Sequence, residues 1–183
     1  MMATPHIPAK VLPVGGFMII PEIAPEQVLG DLESYFRGKV VVSRGFSVQE
    51  YTHYYDQEMG EDIVKYFYYV RNLLDVEGAE QWKIWSNHRE AAYRAADSRR
   101  VNLDPGYLTL SKLVLFSTKG YAHRIYIRES IYAEVTLQYR HKNFHSLPWT
   151  YRDYSSPAGL TFWHQAREEL ERLLKSHSDT LKD

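Results

Sequence analysis

The chain of 183 residues contains no cysteine. Disulfides, thiolate nucleophiles and cysteine-ligated zinc or iron–sulfur sites are therefore excluded, and any bound metal must use histidine, carboxylate or carbonyl ligands. No apolar run approaches the ~20 residues of a membrane-spanning helix. The N-terminus lacks the basic stretch and uninterrupted apolar segment of a secretory signal. We therefore expect a cytoplasmic protein that does not enter a membrane.

An excess of charge of one sign is also lacking, because 22 Lys and Arg stand against 23 Asp and Glu. This balance removes the usual basis for non-specific binding to nucleic acids or membranes, but it is compatible with a local basic patch. The motifs of conventional P-loop NTPases, Rossmann dehydrogenases, zincins and serine hydrolases are absent. Tyrosine is abundant, with 15 residues, and its apolar ring with a polar tip suits sheet faces, stacking surfaces and interfaces.

The order of the predicted elements indicates an α+β fold. Residues 1–13 predict a loose N-terminal arm, and residues 14–183 predict a single domain. The first half of the domain is predicted to begin with a strand over 16–20 and a helix from Pro25 to a left-handed cap at Gly38. Strands over 39–48 and 63–70 and a short strand over 83–85 follow. A helix capped by Asn87 and Glu90 and a strand over 101–103 complete this half. The β-α-β-β-α-β order predicts a ferredoxin-like (split βαβ) core with an antiparallel sheet.

The second half is predicted to extend this core. Asp104-Pro105-Gly106 predicts a tight turn. Residues 108–117 are compatible with helix or strand, and their leucines favour a helix. Residues 122–128 and 131–140 predict a C-terminal β-hairpin extension, and a C-terminal helix is predicted to begin at Ser156-Pro157.

The side-chain pattern of the hairpin predicts its register. A three-residue loop over 128–130 places Ile127 opposite Ile131 and keeps each face uniform. It also places Arg124 opposite Glu134, and Tyr126 opposite Tyr132. Two interpretations of the charged pair are open: an exposed ion pair that contributes little stability, or part of a functional site.

Three further groups before the hairpin favour the second interpretation. Thr118, Lys119 and His123 lie within six residues of one another, and together with Arg124 they would suit a phosphate or carboxylate. His123 is compatible with a proton shuttle, but it shares the apolar face with Ile125 and also fits a satisfied core histidine.

Two carboxylates suggest a metal. Asp104 and Glu134 could supply oxygen ligands to Mg²⁺, and with Lys112, Lys119 and Arg124 they would resemble a phosphoryl-transfer site in composition. The alternative is that Asp104 only shapes a turn through bonds to the backbone.

Several motifs resemble a known prokaryotic family of unknown function, DUF4416. The strings that carry the resemblance are Val101-Asn-Leu-Asp-Pro-Gly-Tyr, Ser117-Thr-Lys, His123-Arg-Ile-Tyr, Ile131-Tyr-Ala-Glu-Val-Thr-Leu and Leu147-Pro-Trp-Thr-Tyr. The resemblance extends over nearly the whole chain after the N-terminal arm. Members of that family are sometimes labelled GTP-binding, although this chain has no Walker-type glycines and lysine. The matching positions are Asn102, Asp104, Tyr107, Lys112, Thr118, Lys119, His123, Arg124, Glu134, Thr136, Trp149 and Tyr151.

Two functions fit these patterns. The first is a metal-assisted enzyme, or a binder, of a phosphate-bearing small molecule or nucleotide. There His123, Glu134 and Asp104 would be catalytic, and Lys112, Thr118, Lys119 and Arg124 would hold the ligand. The second is a non-catalytic RNA- or protein-binding module that uses Tyr126, Tyr132 and Trp149. A structural adaptor or homodimer needs only the aromatic surface.

Overall fold

The computed structural model describes residues 4, 6–95 and 98–180. Within them, nine strands form one antiparallel sheet whose main path runs β2-β4-β1-β5-β6-β8-β7, with β3 beside β4 and β9 beside β8. The strands are β1 (Leu12–Ile19), β2 (Val40–Val42), β3 (Phe46–Ser47), β4 (Val64–Val70), β5 (Val101–Leu108), β6 (Lys112–Ser117), β7 (Ile125–Arg128), β8 (Ile131–Arg140) and β9 (Asn143–Ser146). The helices are α1 (Pro25–Phe36), α2 (Asp56–Met59), α3 (Gln81–Ala92) and α4 (Pro157–Thr180), and a 3₁₀ turn covers Val48–Glu50.

Helices α1 and α3 cover one face of the sheet. The apolar stripe of α1 buries Val28, Leu32 and Phe36, which share a core cluster with Phe17 of β1 and Trp82 of α3. The spacing of four residues along α1 puts these side chains on a single helical face. The prediction of a helix from Pro25 is thus confirmed. Its left-handed cap is Arg37, with φ of 52°, and not the predicted Gly38.

Helix α4 covers the opposite face. Trp163, Ala166 and Leu170 are fully buried at spacings of three and four residues and pack on side chains of β1, β4 and β6. The Ser156 hydroxyl accepts a hydrogen bond from the backbone N–H of Gly159 at 3.0 Å, so the predicted start of this helix is confirmed. No described helix is both long and apolar enough to cross a membrane.

Strands β5 and β6 correct two predictions. The predicted turn at residues 104–106 lies inside β5, and residues 112–117, predicted as helix, form β6. The glycine is required by close packing and not by a turn, because a Cβ on Gly106 would lie 2.0 Å from the carbonyl oxygen of Val114. Pairing with neighbouring strands therefore outweighs the local turn preference of the Asp-Pro-Gly sequence.

Helix α3 corrects a third prediction. It begins at Gln81, so residues 83–85, predicted as a strand, are helical. The predicted capping residue, Asn87, lies in the middle of this helix, and Glu90 accepts a hydrogen bond from Leu103 of β5. Local spacing suggested a cap, whereas the Glu90 carboxylate serves a tertiary contact.

The hairpin β7–β8 is confirmed, with a different turn. Glu129 and Ser130 form a two-residue connection with φ of 49° and 60°, as in primed hairpin turns. Arg128 lies opposite Ile131, and the register shifts between Tyr126 and Arg128, so the predicted three-residue loop is wrong. The bulge absorbs the extra residue, and Tyr126 lies opposite Tyr132 as predicted.

Three boundaries also differ from prediction. Strand β1 begins at Leu12 and Val11 is buried, so ordered structure starts inside the predicted arm. The predicted strand over 39–48 consists of two short strands, β2 and β3, and β4 begins one residue after its predicted start.

Candidate functional site

Among the described residues, the N-terminal half of β5 has a strand partner on its β1 side only. Strand β5 pairs with β1 along its whole length but with β6 only over Gly106–Leu108. Side chains of α3 take the place of the missing strand, since the Lys83 ammonium donates to the Leu103 carbonyl oxygen at 2.6 Å and the Glu90 carboxylate accepts from the Leu103 N–H at 2.7 Å. The divergence of β5 from β6 thus brings polar and charged groups into the interior.

A cavity of about 510 Å³ lies at this divergence. Its walls come from β5, the end of β6, α3, residues 46–55 and residues 148–154. We call the part formed by buried and half-buried residues the inner end; this consists of Lys65, Lys83, Arg99, Asn102, Asp104 and Tyr154. We call its exposed part the mouth; this consists of Tyr54, Thr118, Lys119, Tyr121, Trp149, Tyr151 and Arg152.

Positive charge predominates in the lining. Six lining residues are basic and two are acidic, the acidic ones being Asp104 and Asp153. Among the residues that the structure describes, no carboxylate contacts Lys119 or Arg152; the Lys119 ammonium donates to the Tyr54 hydroxyl at 3.0 Å. These two cations at the mouth therefore face the cavity without a counter-charge.

Asp104 is the carboxylate of the inner end. It accepts hydrogen bonds from the Asn102 amide at 2.7 Å and from the Lys83 ammonium at 3.3 Å. Burial by itself would raise the pKa of Asp104, but the positive charges of Lys83 and Lys65, the Asn102 hydrogen bond and the charge of Arg99 together hold that pKa below its usual range. Asp104 is therefore an anion at neutral pH.

Aromatic side chains form much of the remaining wall, with eight among the lining residues. The Trp149 ring stacks on the His123 ring, with centroids 5.2 Å apart, and its indole N–H donates to the Val135 carbonyl oxygen at 2.9 Å. Burial, followed by the negative charges of Asp104 and Glu134, raises the pKa of Tyr151 to about 12. The wall thus combines rigid rings with hydroxyl groups that stay protonated.

An ion-pair network supports the wall from behind. The Arg124 Nε donates to Glu134 Oε2 at 2.7 Å, and the guanidinium also donates to the Ser117 and Tyr151 hydroxyls. His123 Nε2 lies 3.0 Å from the same carboxylate oxygen. Arg124 thereby connects the end of β6 and the first half of β8 to the loop that carries Tyr151.

A family model described as Domain of unknown function (DUF4416) matches residues 12–170. The chain belongs to this family. No curated protein and no solved structure matches it. The match includes all nine strands, α1 to α3 and most of α4, and therefore all the walls of the cavity.

In this DUF4416 protein, the residues selected from sequence occupy three different places. Asp104, Thr118, Lys119 and Arg124 line the cavity. Glu134 and His123 contact each other behind the wall, and the Glu134 carboxylate also accepts from Arg124 and from the Thr136 hydroxyl. Lys112 is exposed at the start of β6, outside the lining. Within the described ranges, no three His, Asp or Glu residues are grouped so that they could hold a metal ion.

Three cations of the inner end were not selected from sequence: Lys65, Lys83 and Arg99. A signal for Lys83 exists, because it recurs with Asn87 and Glu90 at intervals of four and three residues, which places a polar stripe on one helical face. Because residues 83–85 were predicted as a strand, this helical periodicity was not recognised. Lys65 and Phe67 lie on the same face of β4, but the local sequence does not show that this face borders a cavity.

Proposed function

We propose that this DUF4416 protein binds a small molecule that carries a phosphate group and a planar ring, with nucleotides as the chemical class. The observation that carries the proposal is the cavity at the β5–β6 divergence, in which basic residues outnumber acidic ones and aromatic side chains form the wall. Its volume of about 510 Å³ lies in the range of small-molecule sites.

The phosphate is proposed to bind at the mouth. Lys119 and Arg152 are the cations there without a carboxylate partner among the described residues, and the neighbouring Thr118 hydroxyl can donate a hydrogen bond. Arg124 lines the same region, but Glu134 already neutralises its charge. A phosphate interacts most strongly with cations that are not already paired with another anion.

The ring is proposed to lie against the exposed aromatic side chains of the mouth. Tyr54 is 63% exposed and Trp149 36% exposed. Stacking on aromatic side chains contributes about 1–3 kcal/mol per nucleic-acid base. The Trp149 ring is held in place by His123 and by its hydrogen bond to Val135.

The test is calorimetric titration of the purified protein with phosphate, pyrophosphate and the ribonucleoside mono- and triphosphates. The variant Lys119→Gln/Arg152→Gln should lose at least tenfold in affinity. Lys112→Gln/Arg140→Gln is a matched control, because it removes one Lys and one Arg charge from exposed positions outside the cavity. Equal affinity of the two double variants, or no binding by the wild type, would refute the proposal.

Metal dependence is tested in the same titrations, run with Mg²⁺ and with EDTA. The Glu134 carboxylate is held by Arg124, His123 and Thr136. Asp153 is paired with Lys65 at 2.6 Å and is 9% exposed, so Asp104, at 31%, is the more accessible lining carboxylate for a metal that a nucleotide brings. We expect the phosphate to bind in EDTA through the mouth cations. Binding that requires Mg²⁺ and is lost in Asp104→Asn would instead support a metal-assisted enzyme.

A second candidate function is recognition of a partner protein through β7. This strand is at the edge of the sheet, all four of its residues are exposed, and Ile125 and Tyr126 are 72% and 58% exposed. An edge strand with exposed apolar side chains is a template for pairing with another chain, including a second copy. Light scattering of the wild type and of Ile125→Lys tests self-association through β7. A monomer in both samples argues against it. An RNA-binding assay tests the nucleic-acid alternative separately.

For the fold, we propose that β1, α1, β2, β4, α3 and β5 form a ferredoxin-like core. Support comes from their order along the chain and from the antiparallel neighbours β2-β4-β1-β5. Both helices pack on the same face of these strands, as a split βαβ arrangement requires. A solved structure whose central four strands have a different order would contradict this proposal.

A further inference from the structure

The inner end of the cavity differs from the mouth in its charge balance. Lys65 is paired with Asp153 at 2.6 Å and Lys83 with Asp104 at 3.3 Å, and Arg99 contacts a carboxylate of α3. Each of these cations therefore has a counter-charge. The inner end offers little to a second phosphate, and Asp104 would repel one.

Asp104 has acceptor capacity that the residues described by the structure do not use. An ionised carboxylate has about four lone-pair positions, and within the described part of the chain this one accepts two hydrogen bonds, from Lys83 and Asn102. Its side chain is 31% exposed and lines the cavity. A bound molecule can therefore donate to Asp104 without displacing a protein contact.

A second unused polar atom lies beside Asp104. Gly16 is the register partner of Asp104, and a Cβ on Gly16 would lie 3.1 Å from the Tyr154 hydroxyl oxygen. That hydroxyl is buried and has no hydrogen-bond partner among the described residues. Register partners in an antiparallel pair extend their side chains to the same face. Because Gly16 has no side chain, the Tyr154 hydroxyl and the Lys65 Cε, which would lie 3.0 Å from that Cβ, approach β1 closely on the face that carries the Asp104 carboxylate.

The charges around Asp104 select the chemistry of the group that binds there. Because each cation here already has a carboxylate partner, neither a phosphate nor an ammonium group gains a net charge attraction. An uncharged O–H donor needs no counter-charge and occupies a free acceptor position of Asp104. A site that accepts a hydrogen bond from a ligand distinguishes strongly between a ligand with the matching donor and an analogue without it.

We propose that Asp104 determines specificity by accepting a hydrogen bond from a hydroxyl group of the ligand, which makes the ligand class phosphate esters of sugars, including ribonucleotides. This inference rests on the proposed function, because the phosphate stays at the mouth while the sugar hydroxyls reach the inner end. Tyr154 borders the same hydroxyl group.

The experiment measures affinities of the wild type and Asp104→Asn for pyrophosphate, ribose 5-phosphate, the four ribonucleoside monophosphates and their 2′,3′-dideoxy forms. We expect the wild type to bind a ribose ester about 10- to 100-fold more tightly than its dideoxy form, as for a hydrogen bond to a charged group. Asp104→Asn should remove most of that difference and leave the affinity for pyrophosphate within about twofold.

The outcomes separate this inference from the function on which it rests. Equal affinities for ribose and dideoxy forms, pyrophosphate as the only ligand, or a difference that persists in Asp104→Asn would overturn the role of Asp104 alone. Binding that does not respond to Lys119→Gln/Arg152→Gln overturns the anion site as well. If Asp104→Asn does not fold, Asp104→Glu displaces the carboxylate and keeps its charge, and the wild-type comparison of ribose and dideoxy forms remains decisive.

Discussion

Arg124, directly before β7, and Glu134 of β8 form a buried ion pair, with 2.7 Å between Nε and Oε2 and with side chains that are 3% and 1% exposed. The side-chain pattern of the hairpin predicted that these two residues face each other, but it did not decide whether the pair is exposed or buried. Burial changes the energetics, because breaking a buried pair leaves an uncompensated charge, whereas an exposed pair contributes little. The pair also positions the Tyr151 hydroxyl through the Arg124 guanidinium.

Removal of the Glu134 charge should therefore destabilise the protein strongly. Glu134→Gln preserves the shape but leaves Arg124 without its counter-charge, and we expect a loss of about 3–5 kcal/mol in the free energy of unfolding. Urea denaturation measures it. Glu168→Gln, which removes an exposed carboxylate on α4, should stay within about 0.5 kcal/mol of the wild type. Similar small losses in both variants would show that the pair contributes little.

Gly106 and Gly30 should respond in opposite directions to alanine. At Gly106 the added Cβ would lie 2.0 Å from the Val114 carbonyl oxygen, so β5 and β6 must separate, and we expect a loss of about 3 kcal/mol, the upper end for overpacking. Gly30 lies inside α1 with no atom within 4 Å of an added Cβ, and alanine should stabilise the protein by about 0.5–1 kcal/mol. Thermal or urea unfolding of both variants checks this, and a tolerated Gly106→Ala would contradict the close approach.

Glu90 should control the protection of a single backbone amide. Its carboxylate accepts the Leu103 N–H at the open edge of β5, so Glu90→Leu should accelerate hydrogen exchange of that amide at least tenfold. Ser86→Ala is a matched control, because the Ser86 hydroxyl donates to carbonyl oxygens of Lys83 and Leu103 and does not contact the amide. Exchange measured by NMR that stays slow at Leu103 in Glu90→Leu would contradict the edge-capping role of α3.

Asp104 should make stability depend on pH. Its pKa in the folded protein lies below the usual range, so folding is favoured by its ionised form above about pH 4, and this contribution is lost as pH falls through the folded-state pKa. The difference in free energy of unfolding between the wild type and Asp104→Asn should therefore be largest near neutral pH and shrink in acid. Urea titrations between pH 2.5 and 7 measure it, and a difference that grows in acid would show that the pKa is raised instead.

The elements predicted well from sequence have local signals. Helix α1 has a proline at its start and one apolar stripe, and the β7–β8 hairpin has two alternating strands, so neither depends on distant residues for recognition. The prediction of a turn within β5 was wrong because Asp104-Pro105-Gly106 is composed of turn-forming residues. Its extended conformation is decided by pairing with β1 along its length and by the close approach of β6 at Gly106.

The sequence by itself determined the absence of thiol chemistry, the overall charge balance, the facing of Arg124 and Glu134, and part of the cavity wall, at Asp104, Thr118 and Lys119. Only the tertiary structure decided which charges are neutralised. Lys65 and Asp153 are 88 positions apart, yet they meet at 2.6 Å, whereas Lys119 has no carboxylate partner within the described part of the chain. Electrostatic interactions depend on distance and burial in space, and local spacing along the chain encodes neither.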